Sequence, residues 1–254
     1  MSNEVLVDVT DGIMTVTLNR PEAKNAANRA VAVGVAAAMD QLDSDDSIRV
    51  AILTGAGGTF CAGMDLKAFV SGEMPMVEGR GFAGLTEATP RKPLIAAVEG
   101  YALAGGMELA ISCDLIVAAD NAKFGIPEVK RGLAAAAGGL MKLPRQIPSR
   151  LAMELAITGE FITSQRAYEV GLVNQIVPAG TALEAAKALA AKIAANGPLA
   201  VAVSKQVIQE SADWSADEMW KKQEALVMPI FGSEDAMEGS IAFAEKRAPN
   251  WKGK

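Results

Sequence analysis

The chain has 254 residues, half of them hydrophobic but only 5% aromatic, and its 30 acidic against 24 basic side chains leave a net charge of −6. That length suits one large core with a smaller appendage, and an acidic chain lacks the basic face that non-specific nucleic-acid binding requires. Histidine is absent, and the two cysteines, Cys61 and Cys113, supply neither a disulfide framework nor metal-ligand spacing.

Val5, Val7 and Val9 alternate with Leu6 and Asp8, and a second β-rich run at 13–18 follows the Asp11-Gly12 turn, so the chain opens with a hairpin. Val31, Val35, Met39 and Leu42 recur at helical spacing, and residues 50–53 form a short apolar run ending at Thr54-Gly55. The pattern repeats: an apolar run at 94–98 stops at Glu99-Gly100, helical spacing begins near Gly105, and another run spans 115–118. This alternation predicts an α/β architecture with the strand order left open. Beyond about residue 151 helices dominate, with a short strand at 174–177, an apolar face at Leu183, Ala186, Ala190 and Ile193, and Ser215 with Glu218 at capping-box spacing. Met237, Ile241 and Ala244 line the last helix. A core over 1–197 and a helical region over 198–254 are expected, with the apolar cluster of Met228, Ile230 and Phe231 serving either a subunit interface or its own domain. No basic leader with an apolar stretch follows Met1, and no apolar run reaches the roughly 18 residues of a membrane span. A reducing, cytoplasmic setting without a membrane partner is the expectation.

In a chain without histidine, proton chemistry falls first to carboxylates, which burial tunes toward neutral pH. Glu108 and Glu128 stand at and beyond the glycine-rich segment Gly100-Tyr101-Ala102-Leu103-Ala104-Gly105-Gly106-Met107-Glu108. Taken alone, Glu108 also suits a helix first turn and Glu128 an exposed loop. Thr54-Gly55-Ala56-Gly57-Gly58-Thr59-Phe60 has the look of a dinucleotide fingerprint, but Phe60 replaces its third glycine and no convincing helix starts at 61–65. Two small-residue turns after two strands instead bring backbone N–H groups together, as an oxyanion hole requires. Asp65 and Asp114 read as caps of turns or helices, and both cysteines as buried thiols.

The chain resembles the crotonase (enoyl-CoA hydratase/isomerase) superfamily over nearly its whole length. The motifs run from Leu18-Asn19-Arg20-Pro21-Glu22-Ala23-Lys24-Asn25-Ala26 through Phe60-Cys61-Ala62-Gly63-Met64-Asp65-Leu66-Lys67 and the Gly100 segment. They continue with Ala122-Lys123-Phe124-Gly125-Ile126-Pro127-Glu128 and Phe243-Ala244-Glu245-Lys246-Arg247. The resemblance implies a β-β-α spiral core with a helical, oligomer-forming tail, as a homotrimer or a dimer of trimers. It implies an oxyanion hole from the N–H groups of Met64 and Gly105, and catalytic carboxylates at Glu108 and Glu128, where family isomerases generally keep only one. It also implies a coenzyme A site walled by Lys24, Asn25, Ala26, Ala62, Asp65, Leu66 and Lys67 with Tyr101, to which Phe243 and Lys246 contribute from the tail. The implied activity is hydration of a 2-enoyl-CoA thioester in fatty acid metabolism, with no metal or redox cofactor and coenzyme A entering as part of the substrate. Double-bond isomerisation and non-catalytic binding, including of RNA, stand as alternatives.

Three features depart from the family pattern or specialise it. Ala104 replaces the first of three glycines, and Leu133-Ala134-Ala135-Ala136-Ala137-Gly138-Gly139 replaces a Pro-Gly loop that lines the acyl pocket and helps hold water through a backbone N–H. Gly81-Phe82-Ala83-Gly84-Leu85-Thr86-Glu87 resembles the carnitinyl-CoA dehydratase branch, a hydratase chemistry on a cationic acyl group.

Overall fold

The structure is a computed structural model that describes residues 3–254. The elements in the first half are β1 (Val5–Thr10), β2 (Ile13–Leu18), α1 (Arg29–Ser44), β3 (Val50–Gly55), α2 (Leu66–Val70), β4 (Met76–Val77), β5 (Gly81–Phe82), β6 (Leu94–Val98), β7 (Tyr101–Leu103), α3 (Gly105–Ala110), β8 (Leu115–Ala119) and β9 (Lys123–Gly125). A 3-10 turn at Pro127–Arg131 leads to α4 (Gly139–Gln146), α5 (Ser149–Thr158), β10 (Ile162–Thr163), α6 (Ser164–Glu169), β11 (Gln175–Val177), α7 (Ala182–Ala194), α8 (Pro198–Ser211), α9 (Met219–Phe231) and α10 (Glu234–Glu245).

The hairpin forms as expected: Asp11 and Gly12 both take positive φ, which matches the twist of two antiparallel strands. From β2 onward the main sheet is parallel, in the order β1-β2-β3-β6-β8-β11. Parallel strands need cover on both faces, and the alternation in β3 provides for it. Ala51 and Leu53 enter the large core with Val31, Val35 and Met39 of α1, while Val50 and Ile52 enter a second core with Ala182, Ala186 and Ala190 of α7. Small alanines let α7 lie close against the sheet.

A smaller sheet, β10-β9-β7, takes up the chain where it leaves the carboxyl ends of β6 and β8. Periodicity did not reveal it, because β7 and β9 have three residues each. The glycine-rich segment is thus a strand, a one-residue turn at Ala104 and a helix. The capping box at Ser215 also differs from expectation: α9 starts at Met219, and the Glu218 carboxylate is taken by Lys222 and the Ser215 hydroxyl. Among the described residues no single helix is long and apolar enough to cross a membrane, and α7 and α8, apolar together, meet at a bend of 109°.

Candidate active site

Two segments run side by side at the end of the parallel sheet. Phe60 N–H donates to Glu99 (2.8 Å), Cys61 N–H to Tyr101 (2.9 Å) and Leu103 N–H to the Cys61 carbonyl (3.0 Å), so Cys61 pairs in parallel with Ala102. Counting three residues on from that pair reaches Met64 on one segment and Gly105 on the other. Gly63, at φ +105°, makes the approach possible: a Cβ there would stand 2.8 Å from the Ala104 methyl and 3.2 Å from the Gly105 nitrogen. Gly106 is equally constrained, since its Cβ would fall 2.0 Å from the Cys61 carbonyl oxygen.

On its other side Met64 bridges Ala27, whose N–H donates to Gly63 (2.7 Å) and whose carbonyl accepts from Asp65 (2.9 Å). That pairing turns the Met64 N–H away from Ala27. Gly105 is the first residue of α3, where an N–H has no intrahelical acceptor. Among the described residues neither N–H donates to a protein acceptor. Two such donors, fixed in direction before any ligand arrives, can hold a developing oxyanion.

Glu108 lies one turn into α3 and is 3% exposed. Its Oε1 accepts from the Gly139 N–H at 2.8 Å, at the start of α4, where the helix dipole favours an anion. Burial raises its pKa, against the pull of the Gly139 and Ala137 N–H groups and the Lys142 charge. Glu128 sits in the 3-10 turn, and its Oε2 is buried with no hydrogen-bond partner. Burial is the main cause that pushes its carboxyl up to about 7, its own N–H pulls the other way, and the charge of Glu108 adds to the rise against that of Arg131. The two carboxyls therefore feel one another, with the helix start stabilising an anion at Glu108 and a neutral acid favoured at Glu128.

Of the residues expected to wall coenzyme A, Lys24, Ala62 and Tyr101 meet beside these two segments. Ala62 N–H donates to the Lys24 carbonyl (3.0 Å), and the Lys24 ammonium stands 5.6 Å over the half-exposed Tyr101 ring. Leu66 and Lys67 are exposed, while Asp65 caps α2 through the N–H groups of Lys67 (3.0 Å) and Ala68 (3.3 Å) and pairs with Arg20 (2.9 Å). Despite the opposing effect of burial, Arg20 and those N–H groups hold its carboxyl below the usual range. Asn25 is fully buried, and its amide donates to Ala56 (2.8 Å) and Thr59 (2.6 Å), so its side chain clamps the loop after β3 while its neighbour Ala26 is half-buried. Phe243 and Lys246 lie at the end of α10 in the tail, where Phe243 is 88% exposed and lines a groove between α8, α9 and α10.

Three residues at the site were not singled out from the sequence: Gly139, whose N–H goes to Glu108; Phe82, whose ring would lie 2.4 Å from a Cβ on Gly105; and Lys142. The departure from a Pro-Gly loop pointed to the neighbourhood of the first. The others depend on contacts between segments more than 20 positions apart, for which periodicity carries no signal. Among the described residues no group of His, Cys, Asp and Glu could hold a metal ion.

Comparison with known proteins shows the family. A family model for enoyl-CoA hydratase/isomerase matches residues 8–254. The crystal structure of an enoyl-CoA hydratase from Mycobacterium tuberculosis superposes with a TM-score of 0.98 at 61% identity, covering 100% of both chains. The enoyl-CoA hydratase EchA19 of Mycobacterium tuberculosis is 44% identical over 99% of this chain and 97% of its own. The carnitinyl-CoA dehydratase of Proteus mirabilis is 39% identical over 100% of both. By its fold, its motifs and these relatives, the chain belongs to the enoyl-CoA hydratase/isomerase family.

Proposed function

We propose that the protein is a 2-enoyl-CoA hydratase, a hydro-lyase in which Glu108 and Glu128 divide the proton transfers. The observation that carries this reading is the carboxyl pair beside two N–H donors that no protein acceptor takes: hydration needs a base for water and an acid for carbon, whereas moving a double bond needs one well-placed base. In the scheme, the thioester carbonyl oxygen accepts from the Met64 and Gly105 N–H groups, and C3 becomes electrophilic. Glu108, ionised, takes a proton from water as the oxygen bonds to C3. The electron pair of the double bond moves into an enolate whose charge rests on the thioester oxygen, and the Glu128 carboxyl gives its proton to C2. Proton exchange with solvent then returns both glutamates to their starting forms. Each such proton transfer contributes about 10²–10⁴ in rate. The scheme calls on no further cofactor.

Mixing the protein with crotonyl-CoA is expected to remove the conjugated-thioester absorbance. Persistent absorbance across short, long and carnitine-type acyl groups, with a 3-enoyl-CoA isomerised instead, overturns the reading. The relative from Proteus mirabilis supports a second acyl class, a cationic one. Comparing kcat/KM for crotonyl-CoA with that for its trimethylammonium counterpart separates the two.

Self-association as a trimer or a dimer of trimers belongs to the same proposal. It is supported by a groove of about 580 Å³ lined by Val203, Val227, Ile230, Phe231, Phe243 and Trp251, in which Phe231 is 73% exposed. Sedimentation at a monomer mass would remove it.

A further inference from the structure

We propose that Lys142 is a positioning residue of this site: its ammonium joins the segments that frame Glu108 and holds that carboxyl in place and in its charged form. The inference rests on the hydratase reading for its kinetic consequence and on geometry for the rest. Lys142 lies in α4 one turn beyond Gly139, the residue whose N–H binds Glu108. Its Nζ donates to the Thr86 carbonyl (2.7 Å) and to Ser112 Oγ (2.9 Å), and Ser112 Oγ in turn donates to the carbonyl of Glu108 itself (2.7 Å). Thr86 Oγ1 accepts from the N–H of Phe82 (3.0 Å), the residue whose ring stands against Gly105. One ammonium thus connects the loop behind the oxyanion N–H, the end of the helix carrying Glu108, and the helix whose first N–H binds the Glu108 carboxylate.

A surface lysine would need no such account, but this one is half-buried, and burial pushes its pKa down. Among the described residues it makes no salt bridge that would offset the cost of burying the charge. The charges that favour its ammonium are those of Glu108 and Glu87, while the neighbouring Cys113 thiol is kept protonated by burial. The charges of Glu108 and Arg131 act on Glu128, while those of Asp114 and Lys205 act on Cys113. Lys142 and the start of α4 are thus the groups that favour an anion at Glu108, against burial.

The test uses Lys142→Met and Lys142→Arg in the full chain, with two measurements: the pH profile of crotonyl-CoA hydration, and the ¹³C titration of the Glu108 carboxyl, assigned with Glu108→Gln. Removing the cation disfavours the carboxylate, so in Lys142→Met the acidic limb of kcat and the carboxyl titration both move up by about one pH unit. On that limb kcat falls by up to roughly tenfold while KM stays within about twofold, because the lost interaction acts through the base rather than on coenzyme A. Lys142→Arg keeps the charge, and both midpoints stay in place. An unmoved titration in Lys142→Met overturns the proposal, as does an equal loss of kcat in both variants without a shift, which marks a purely structural contact. If the wild-type protein hydrates neither short, long nor carnitine-type enoyl-CoA, the hydratase reading alone falls, and the carboxyl titration still decides the role of Lys142.

Discussion

Two buried acidic regions of the molecule lie a few residues apart in the chain and are finished differently. At Asp114 every direction is answered: Oδ2 accepts from Leu94 N–H (2.8 Å) and Lys205 Nζ (2.7 Å), and Oδ1 accepts from Gln209 Nε2 (2.7 Å). At the glutamate pair, Glu128 keeps a buried oxygen with no partner, and the charge of Glu108 helps keep its carboxyl protonated. Burial raises the carboxyl pKa in both regions. Burial alone therefore does not separate a structural acid from a candidate catalytic one. What separates them is whether the surroundings complete the group's hydrogen bonds.

The largest effect expected from this contrast is on rate. Glu108→Gln and Glu128→Gln preserve shape but remove the proton exchange, and each is expected to lower kcat for hydration by about 10²–10⁴ while acyl-CoA still binds. Steady-state kinetics with a calorimetric Kd check both halves. If either variant keeps a near-native rate, its assigned role is wrong and the contrast between the regions fails.

Stability is expected to respond in the other region. Lys205→Met leaves Asp114 buried without its cation, and breaking a buried pair in this way costs about 3 kcal/mol. Urea unfolding measures that loss, and kcat of the folded fraction should stay within about twofold. A large fall in kcat would show that the Asp114 cluster is coupled to the site, and the division between the two regions would then dissolve.

A smaller effect links stability to pH through Glu128. Its carboxyl titrates near 7 in the folded protein against an ordinary value of 4.5. Below 4.5 it is protonated in both states, between 4.5 and 7 the unfolded chain gives up its proton first, and above 7 the folded protein holds a half-buried anion. The stability that the raised pKa brings is thus present at low pH and lost as pH rises through 7. Glu128→Gln escapes that loss and is expected to exceed the wild type at pH 8 by about 1–2 kcal/mol, after discounting for solvent screening. Hydration by the wild type should fall as pH rises through and beyond 7, because its acid is then deprotonated. Equal unfolding free energies at pH 5 and pH 8 for the variant and the wild type would remove the claim that Glu128 is held neutral.

Much of this was legible in the sequence, because it rests on local rules. The Asp11-Gly12 hairpin, the helical stripe from Val31 to Leu42 and the apolar strands at 50–53 and 94–98 each follow from periodicity and turn chemistry within a few residues. The motif order around Cys61 and Gly100 pointed to two converging backbone segments. What was hidden depends on register between distant pieces: β7 and β9 are too short to show alternation, and Asn25 looks like a surface polar residue until the loop after β3 folds over it. The Gly139 N–H and the Lys142 ammonium are likewise ordinary helix-start and helix-face groups in sequence, and only packing brings them to Glu108.

The smallest effect concerns the turn that separates the two donor segments. Ala104 adopts φ +52° and ψ −128°, a region that glycine enters freely and a side chain does not, at the point where the family pattern has its first glycine. Such a residue stores about 1–3 kcal/mol. Ala104→Gly releases that strain but gives the unfolded chain more freedom, at about 0.5–1 kcal/mol, and loses the methyl that faces Gly63. The net expectation is a gain of about 1 kcal/mol, read as a rise in Tm of roughly 2–4 °C for a chain of this size. Because the Gly105 N–H is set by the β7–β9 pairing and by α3 rather than by the methyl, kcat should change by less than about twofold. A fall in Tm would mean that the Ala104 methyl holds the two segments together more strongly than its backbone strains them. In that case the oxyanion donors would owe their spacing to a side-chain contact, and the site would resemble the Asp114 region more than the present contrast allows.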